Sequence, residues 1–160
     1  MNKKEKFDLI EKKIKEIIEQ EETREKKLLS ITELISSELD YYNWVGFYIV
    51  DKEKKNELYL GPFTGEPTTH TRITFGKGVC GRSAQLEKSL LISDVSQESN
   101  YLSCSINVKS EIVVPIFKKN ENENNLYVAQ IDVDSHLRNA FDQLDEIFLN
   151  KIANFCSDLF

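Results

Sequence analysis

The sequence predicts an α+β domain in which an antiparallel sheet of about six strands lies between helices at the two ends of the chain. Apolar residues recur at spacings of three and four over residues 3–40 and again after Asp142, a pattern typical of amphipathic helices. Between these segments, short β-branched and aromatic runs follow one another. Strands that are grouped rather than alternating with helices favour an antiparallel sheet with helices on one face.

The size and charge of the chain limit the number of domains and the kinds of partner that we expect. The chain has 160 residues, of which 40% are hydrophobic, enough for one core, and we expect a single domain over residues 1–160. Residues 1–40 supply the N-terminal helices, and residues 41–160 supply the sheet, its loops and the C-terminal helix. The net charge of -6 disfavours a nucleic-acid partner. Without an apolar stretch of membrane-spanning length, we expect no membrane partner and a cytoplasmic location.

The N-terminal segment is predicted to form two helices. Thr23 is a candidate N-cap between them. The apolar stripe over residues 7–18 packs either on the domain's own core or on a second subunit, and we favour the core.

The predicted strands cover residues 44–50, 57–63, 72–75, 90–92, 111–118 and 126–133. The polar segments DKEKKN and KNENENN each connect two strands and indicate antiparallel hairpins. Gly76, Gly78 and Gly81 indicate a tight turn into a short helix that runs to Leu86. The final helix, after Asp142, is expected to bury one face made of Leu144, Ile147, Phe148, Ile152, Phe155 and Leu159.

The three cysteines differ in their surroundings. An odd number in a reducing compartment disfavours static disulfides. Cys156 lies on the apolar face of the last helix, so we interpret it as structural. Cys104 lies in the polar segment 93–110, which is predicted to be a loop with at most one helical turn. Apolar filler is not needed there, and loops of this length are often functional.

Five segments taken together resemble the free methionine-(R)-sulfoxide reductases, which are stand-alone GAF-domain proteins. They are NWVGFY at 43–48, LGPF at 60–63, FGKGVCG at 75–81, SEIVVP at 110–115 and IDVDS at 131–135. The resemblance implies a GAF-type fold and reduction of free L-methionine-(R)-sulfoxide to methionine. It also implies thioredoxin or another thiol as the reductant, no cofactor, and a homodimer.

The resemblance also assigns roles to cysteines. Cys104, seven residues before Glu111, stands where the family has its catalytic cysteine, and Cys80 stands where it has another redox cysteine. The family usually has a third cysteine ten residues before Cys80, where this chain has His70. Recycling would then fall to Cys80 or to an external thiol.

Sulfoxide reduction requires a soft nucleophile and a proton donor for the departing oxygen. Cys104 supplies the nucleophile, and Glu111, Asp132 or Asp134 supplies the acid if crowding raises the pKa of one carboxyl group. The resulting sulfenic acid condenses with a second thiol to a disulfide, for which Cys80 is the candidate.

The same carboxylates suit the ammonium group of a free amino acid. Trp44 and Tyr48 alternate on one strand and so share a face, which makes them a candidate apolar wall for the S-methyl group, as the resemblance suggests. Taken alone, these aromatic residues are more often core. Without the order of the five segments, we would place Asp132 and Asp134 on the solvent face of a half-buried strand.

Three other interpretations compete with this one. His70 and His136 suggest a metal site with a cysteine, but no CxxC or HxxxH spacing supports it, and we expect no metal. A GAF domain that senses a small molecule, with incidental cysteines, is the main rival. A thiol-based redox sensor in which Cys80 and Cys104 switch partners without turnover is the second.

Overall fold

The computed structural model describes residues 1–99, 101 and 106–160. Four α-helices are present in this part of the chain: α1 (Lys3–Glu19), α2 (Arg24–Glu38), α3 (Gly78–Leu86) and α4 (Gln143–Cys156). The strands are β1 (Trp44–Val50), β2 (Glu57–Thr64), β3 (Arg72–Thr74), β4 (Leu90–Ile92), β5 (Ser110–Lys119) and β6 (Asn125–Ser135). The predicted α+β class and the six predicted strands are confirmed.

The six strands form one antiparallel sheet in the order β3-β2-β1-β6-β5-β4. Both predicted hairpins are present, as β1–β2 and β5–β6. The strands β5 and β6 are longer than predicted, because Ser110 pairs with Ser135 at one end of the ladder and Lys119 pairs with Asn125 at the other. Polar residues at strand ends obscured these boundaries in the sequence.

Helices α1, α2 and α4 cover one face of the sheet. Alternate residues of β1, namely Val45, Phe47 and Ile49, point into this core. The Phe7 ring of α1 stacks on the Phe148 ring of α4 with centroids 4.1 Å apart. The apolar stripe of α1 is therefore buried in the domain's own core, as the sequence favoured.

The N-terminus of α2 matches its prediction, whereas the buried face of α4 differs from the one that was predicted. Thr23 caps α2 by accepting a hydrogen bond from the Lys26 amide at 3.3 Å, as predicted. In α4, Leu144 and Ile147 are 42% and 46% exposed, which corrects the expected face. The buried side chains are Asp145, Phe148, Leu149, Ile152, Ala153 and Cys156. The stripe is rotated because the helix buries the carboxyl group of Asp145 at its first turn.

Helix α3 lies on the opposite face of the sheet, which corrects the expectation of helices on one face only. Val79, Cys80 and Ala84 of this helix pack into a second core. Gly81 permits the close approach, since a Cβ atom there would lie 2.5 Å from the Thr74 carbonyl oxygen. Cys80 is thereby brought against β5 and β6.

Within the described ranges, no helix combines the length and apolar character needed to cross a bilayer.

Candidate active site

A row of acidic side chains crosses the face of the sheet that α3 covers. Strand pairing places Asp134 of β6 opposite Glu111 of β5, and Asp132 opposite Val113. Glu111 is 3% exposed, and Asp132 and Asp134 are each 1% exposed. The three carboxyl groups share one buried face. The alternative of a solvent-exposed face for the two aspartates is therefore wrong.

Cys80 of α3 completes this cluster from above the sheet. Its thiol donates a hydrogen bond to Oε1 of Glu111 at 3.7 Å. Sγ of Cys80, one carboxylate oxygen of Glu111 and one of Asp132 all lie within 4.8 Å of one another. Three separate elements therefore bring one thiol and two carboxyl groups together.

Gln130 is a site residue that the sequence reasoning missed. Its Nε2 donates to the backbone carbonyl oxygen of Cys80 at 3.1 Å and to the Tyr127 hydroxyl oxygen at 2.6 Å. Gln130 thus ties α3 to β6. The signal was present, because Gln130 continues the alternation of polar residues that includes Asp132 and Asp134.

The electrostatics of the cluster favour a protonated Glu111. Burial raises the pKa of Glu111 well above its ordinary value, and the charges of Asp132 and Asp134 raise it further. Burial also raises the pKa of Asp132, but hydrogen bonds with Glu111 and Cys80 oppose that rise. Burial and mutual repulsion therefore favour keeping a proton on this pair of carboxyl groups. The pKa of the Cys80 thiol is raised as well, first by burial and then by the neighbouring carboxylates.

A small cavity opens between α3 and the sheet at this point. Its lining residues are Tyr48, His70, Ile73, Lys77, Gly78, Val79, Cys80, Glu111 and Asp132. The volume of this cavity is about 10 Å³. This is room for about one water molecule or one ion.

The predicted aromatic wall lies beside the acidic row. Trp44 and Tyr48 are stacked with centroids 6.3 Å apart, and Gly46 between them pairs with Asp132. A Cβ atom at Gly46 would lie 2.4 Å from the Trp44 ring, so glycine is required for the ring to lie there. Tyr48 borders the cavity, and its hydroxyl donates to the backbone carbonyl oxygen of His70 at 2.9 Å.

The remaining candidate residues are distributed as follows. Cys104 lies outside the described residues. Cys156 is fully buried in the helix-side core, where burial raises the pKa of its thiol to about 12, consistent with a structural role. His70 borders the cavity, whereas His136 is exposed.

Comparisons with known proteins identify the class of protein domain that has this arrangement. No protein-family model matches the chain. The GAF domain-containing protein A of Dictyostelium discoideum is 37% identical over 94% of this chain and 90% of its own length. The sheet with α3 and the site on one face, and three helices on the other, is the fold of a GAF domain.

Two further comparisons define the family within that class. The free methionine-R-sulfoxide reductase of Escherichia coli is 31% identical over 79% of this chain and 71% of its own length. The structure of free methionine-R-sulfoxide reductase from Neisseria meningitidis in complex with its substrate covers all of this chain, which spans 91% of that one, with a TM-score of 0.88 and 29% identity. The chain belongs to the free methionine-R-sulfoxide reductase family.

Proposed function

We propose that this protein reduces free L-methionine-(R)-sulfoxide to methionine at the buried face formed by α3, β5 and β6. The observation that carries the proposal is the contact of the buried Glu111 carboxyl group with Asp132 and Cys80, where burial raises the pKa of Glu111. Such a group can donate a proton near neutral pH, which an ordinary carboxylate cannot. The family membership supplies the substrate class.

In the first step, the Cys104 thiolate attacks the sulfoxide sulfur, and Glu111 gives its proton to the sulfoxide oxygen. The oxygen passes to Cys104, which becomes a sulfenic acid, and methionine leaves. One carboxyl proton and one thiolate are consumed, and one sulfenic acid and one carboxylate are formed. The role of Cys104 rests on the resemblance alone.

In the second step, Cys80 attacks the sulfenic sulfur, which forms a Cys80–Cys104 disulfide and releases water. The raised pKa of Cys80 makes its thiol a poor nucleophile by itself. Its hydrogen bond to Glu111 gives a path for the thiol proton, because Glu111 is a carboxylate after the first step. Thioredoxin or another dithiol then reduces the disulfide, and one recovered thiol proton returns to Glu111.

Substrate recognition is assigned to the acidic row and the aromatic wall. Asp132, Asp134 and Glu111 together form an acidic environment for the substrate ammonium group, with Asp134 as the second candidate acid. Trp44 and Tyr48 provide the apolar surface for the S-methyl group. We further propose a cytoplasmic homodimer without a cofactor, which the resemblance supports; light scattering coupled to size exclusion tests the dimer.

The test is to incubate the reduced chain with free methionine-(R)-sulfoxide and dithiothreitol and to quantify methionine. We expect multiple turnovers for the wild type, and no turnover for Cys104→Ser because it lacks the attacking sulfur. Cys156→Ser, in the opposite core, is the matched control and should keep wild-type activity. Full activity of Cys104→Ser, or tight binding of a small molecule without methionine formation, would contradict the proposal.

A further inference from the structure

We propose that Cys80, Glu111 and Asp132 bind one zinc ion, and that zinc bound there blocks the reduction. The blocking effect rests on the function proposed above, whereas the binding does not. The three residues lie on α3, β5 and β6. Because they are far apart in the sequence, no short metal-binding motif predicts the site.

The donor set and its geometry suit zinc. A cysteine sulfur and two carboxylate oxygens are ordinary zinc ligands. All three ligand atoms lie within 4.8 Å of one another. The 3.7 Å between Sγ of Cys80 and Oε1 of Glu111 is close to the separation of about 3.6 Å between sulfur and oxygen in a tetrahedral zinc site.

The carboxylates also have oxygens that are not otherwise satisfied. Oε2 of Glu111 and Oδ1 of Asp132 are buried and receive no hydrogen bond from the described part of the protein. Both side chains are almost completely buried. Among the described residues, neither carboxylate is in a salt bridge. Buried carboxylate oxygens are costly without a partner, and a cation supplies one.

The space available selects the type of ligand. The cavity that these residues border has room for about one ion or one water molecule. A thiol ligand favours zinc over magnesium or calcium, which prefer six or more oxygen ligands. Lys77, an exposed residue, borders the same cavity.

Bound zinc would occupy three groups that the proposed reaction needs. It would hold Glu111 as a carboxylate, compete with the substrate ammonium group for Asp132, and bind the Cys80 sulfur. Zinc and substrate therefore exclude each other.

The binding test uses the reduced full-length chain in a buffer without added thiols, titrated with zinc chloride in a calorimeter. We expect one ion per chain, and binding about ten-fold or more weaker in both Cys80→Ser and Glu111→Gln. Cys156→Ser should bind as the wild type does. Cobalt(II) should give a thiolate-to-metal charge-transfer band that is absent in Cys80→Ser. Should Cys80→Ser fail to fold by circular dichroism, Glu111→Gln, which keeps the side-chain shape, provides the test.

Two outcomes would overturn the site. One is unchanged zinc affinity in Cys80→Ser or Glu111→Gln, and the other is a loss of binding confined to Cys104→Ser, which would place the ion on the loop thiol instead.

The blocking effect is tested separately in a single turnover, because dithiothreitol binds zinc. Pre-reduced chain is mixed with free methionine-(R)-sulfoxide with and without zinc, and methionine is quantified. We expect zinc to suppress the product and a chelator to restore it. Zinc that binds without lowering the yield overturns the blocking effect, whereas a chain that makes no methionine even without zinc contradicts the proposed function and leaves the binding result standing.

Discussion

At the scale of single residues, burial raises the pKa of Glu111 well above its ordinary value. Its carboxyl group lies beside Asp132, Asp134 and Cys80 on a face closed to solvent by α3. The environment penalises the carboxylate, so the proton is retained above the pH range in which an ordinary glutamate loses it.

Glu111→Gln is expected to lower kcat/KM for free methionine-(R)-sulfoxide by about 100-fold or more, because the amide cannot donate the proton that the leaving oxygen needs. Wild-type activity should fall as pH rises through the raised pKa of Glu111. A pH–rate profile measures both effects. Glu121→Gln, an exposed position in the β5–β6 turn, is the control, and a variant at Glu111 with wild-type kcat/KM would remove this residue from the mechanism.

The same raised pKa predicts how stability depends on pH. Between the pKa of the unfolded chain and the higher pKa of the folded one, the folded state holds a proton that the unfolded state has lost. The free energy of unfolding therefore falls as pH rises through that window. Glu111→Gln should flatten this dependence in urea denaturation measured at several pH values, and an unchanged slope would show that Glu111 ionises normally.

Cys80→Ser should affect turnover with thioredoxin and turnover with dithiothreitol differently. We expect it to block turnover with thioredoxin and to spare turnover with dithiothreitol, which reduces a sulfenic acid directly. Intact-mass measurement of the substrate-oxidised wild type should find a Cys80–Cys104 disulfide. A stable sulfenic acid in its place would leave Cys80 with a structural role only.

At the scale of elements, Asp145 explains both the docking of α1 and the rotation of α4. Its Oδ1 accepts hydrogen bonds from the Tyr41 and Tyr42 hydroxyls at 2.7 and 2.9 Å. Its Oδ2 accepts from Nζ of Lys3 at 2.5 Å and from the Asp142 amide at 2.8 Å. One buried carboxylate thereby joins α1, α4 and the segment between α2 and β1.

Asp145→Ala is expected to lower the free energy of unfolding by about 2–4 kcal/mol, because several buried or half-buried donors lose their acceptor. Urea denaturation provides the measurement. Asp158→Ala, an exposed aspartate after α4, should change stability by less than about 0.5 kcal/mol. Equal effects of the two substitutions would rule out Asp145 as the link between these elements.

The errors at the element scale have a common physical cause. Apolar periodicity predicted that α4 exists, but it ranked Leu144 and Ile147 as buried because it cannot anticipate a buried, hydrogen-bonded aspartate. It also gave no information on the face that α3 covers. The position of α3 on that face depends on the close contact of Gly81 with β3, and this contact forms only in the folded domain.

At the scale of the whole molecule, the site combines what local pattern predicts with what only the fold supplies. The β5–β6 hairpin and the two-residue period indicated that Glu111, Asp132 and Asp134 would meet if they shared a face. Their burial follows from α3, and so does the contact between Cys80 and Glu111. Gln130 was missed because its role is to hold the α3 backbone.

The whole arrangement implies a choice between free and peptide-bound substrate. A free amino acid brings an ammonium group to the buried carboxylates, whereas a peptide offers a neutral amide and leaves them without a cation. The penalty is about 1–3 kcal/mol per unsatisfied group, which corresponds to discrimination of about ten- to a hundred-fold or more.

The most direct test is therefore kcat/KM of the wild type for free methionine-(R)-sulfoxide and for its N-acetyl derivative, measured as methionine or N-acetyl-methionine formed with dithiothreitol. We expect the free amino acid to be favoured by about ten-fold or more, and Asp134→Asn to raise KM or lower kcat for it. Comparable kcat/KM values for the two substrates would contradict the claim that this buried acidic face recognises a free amino acid.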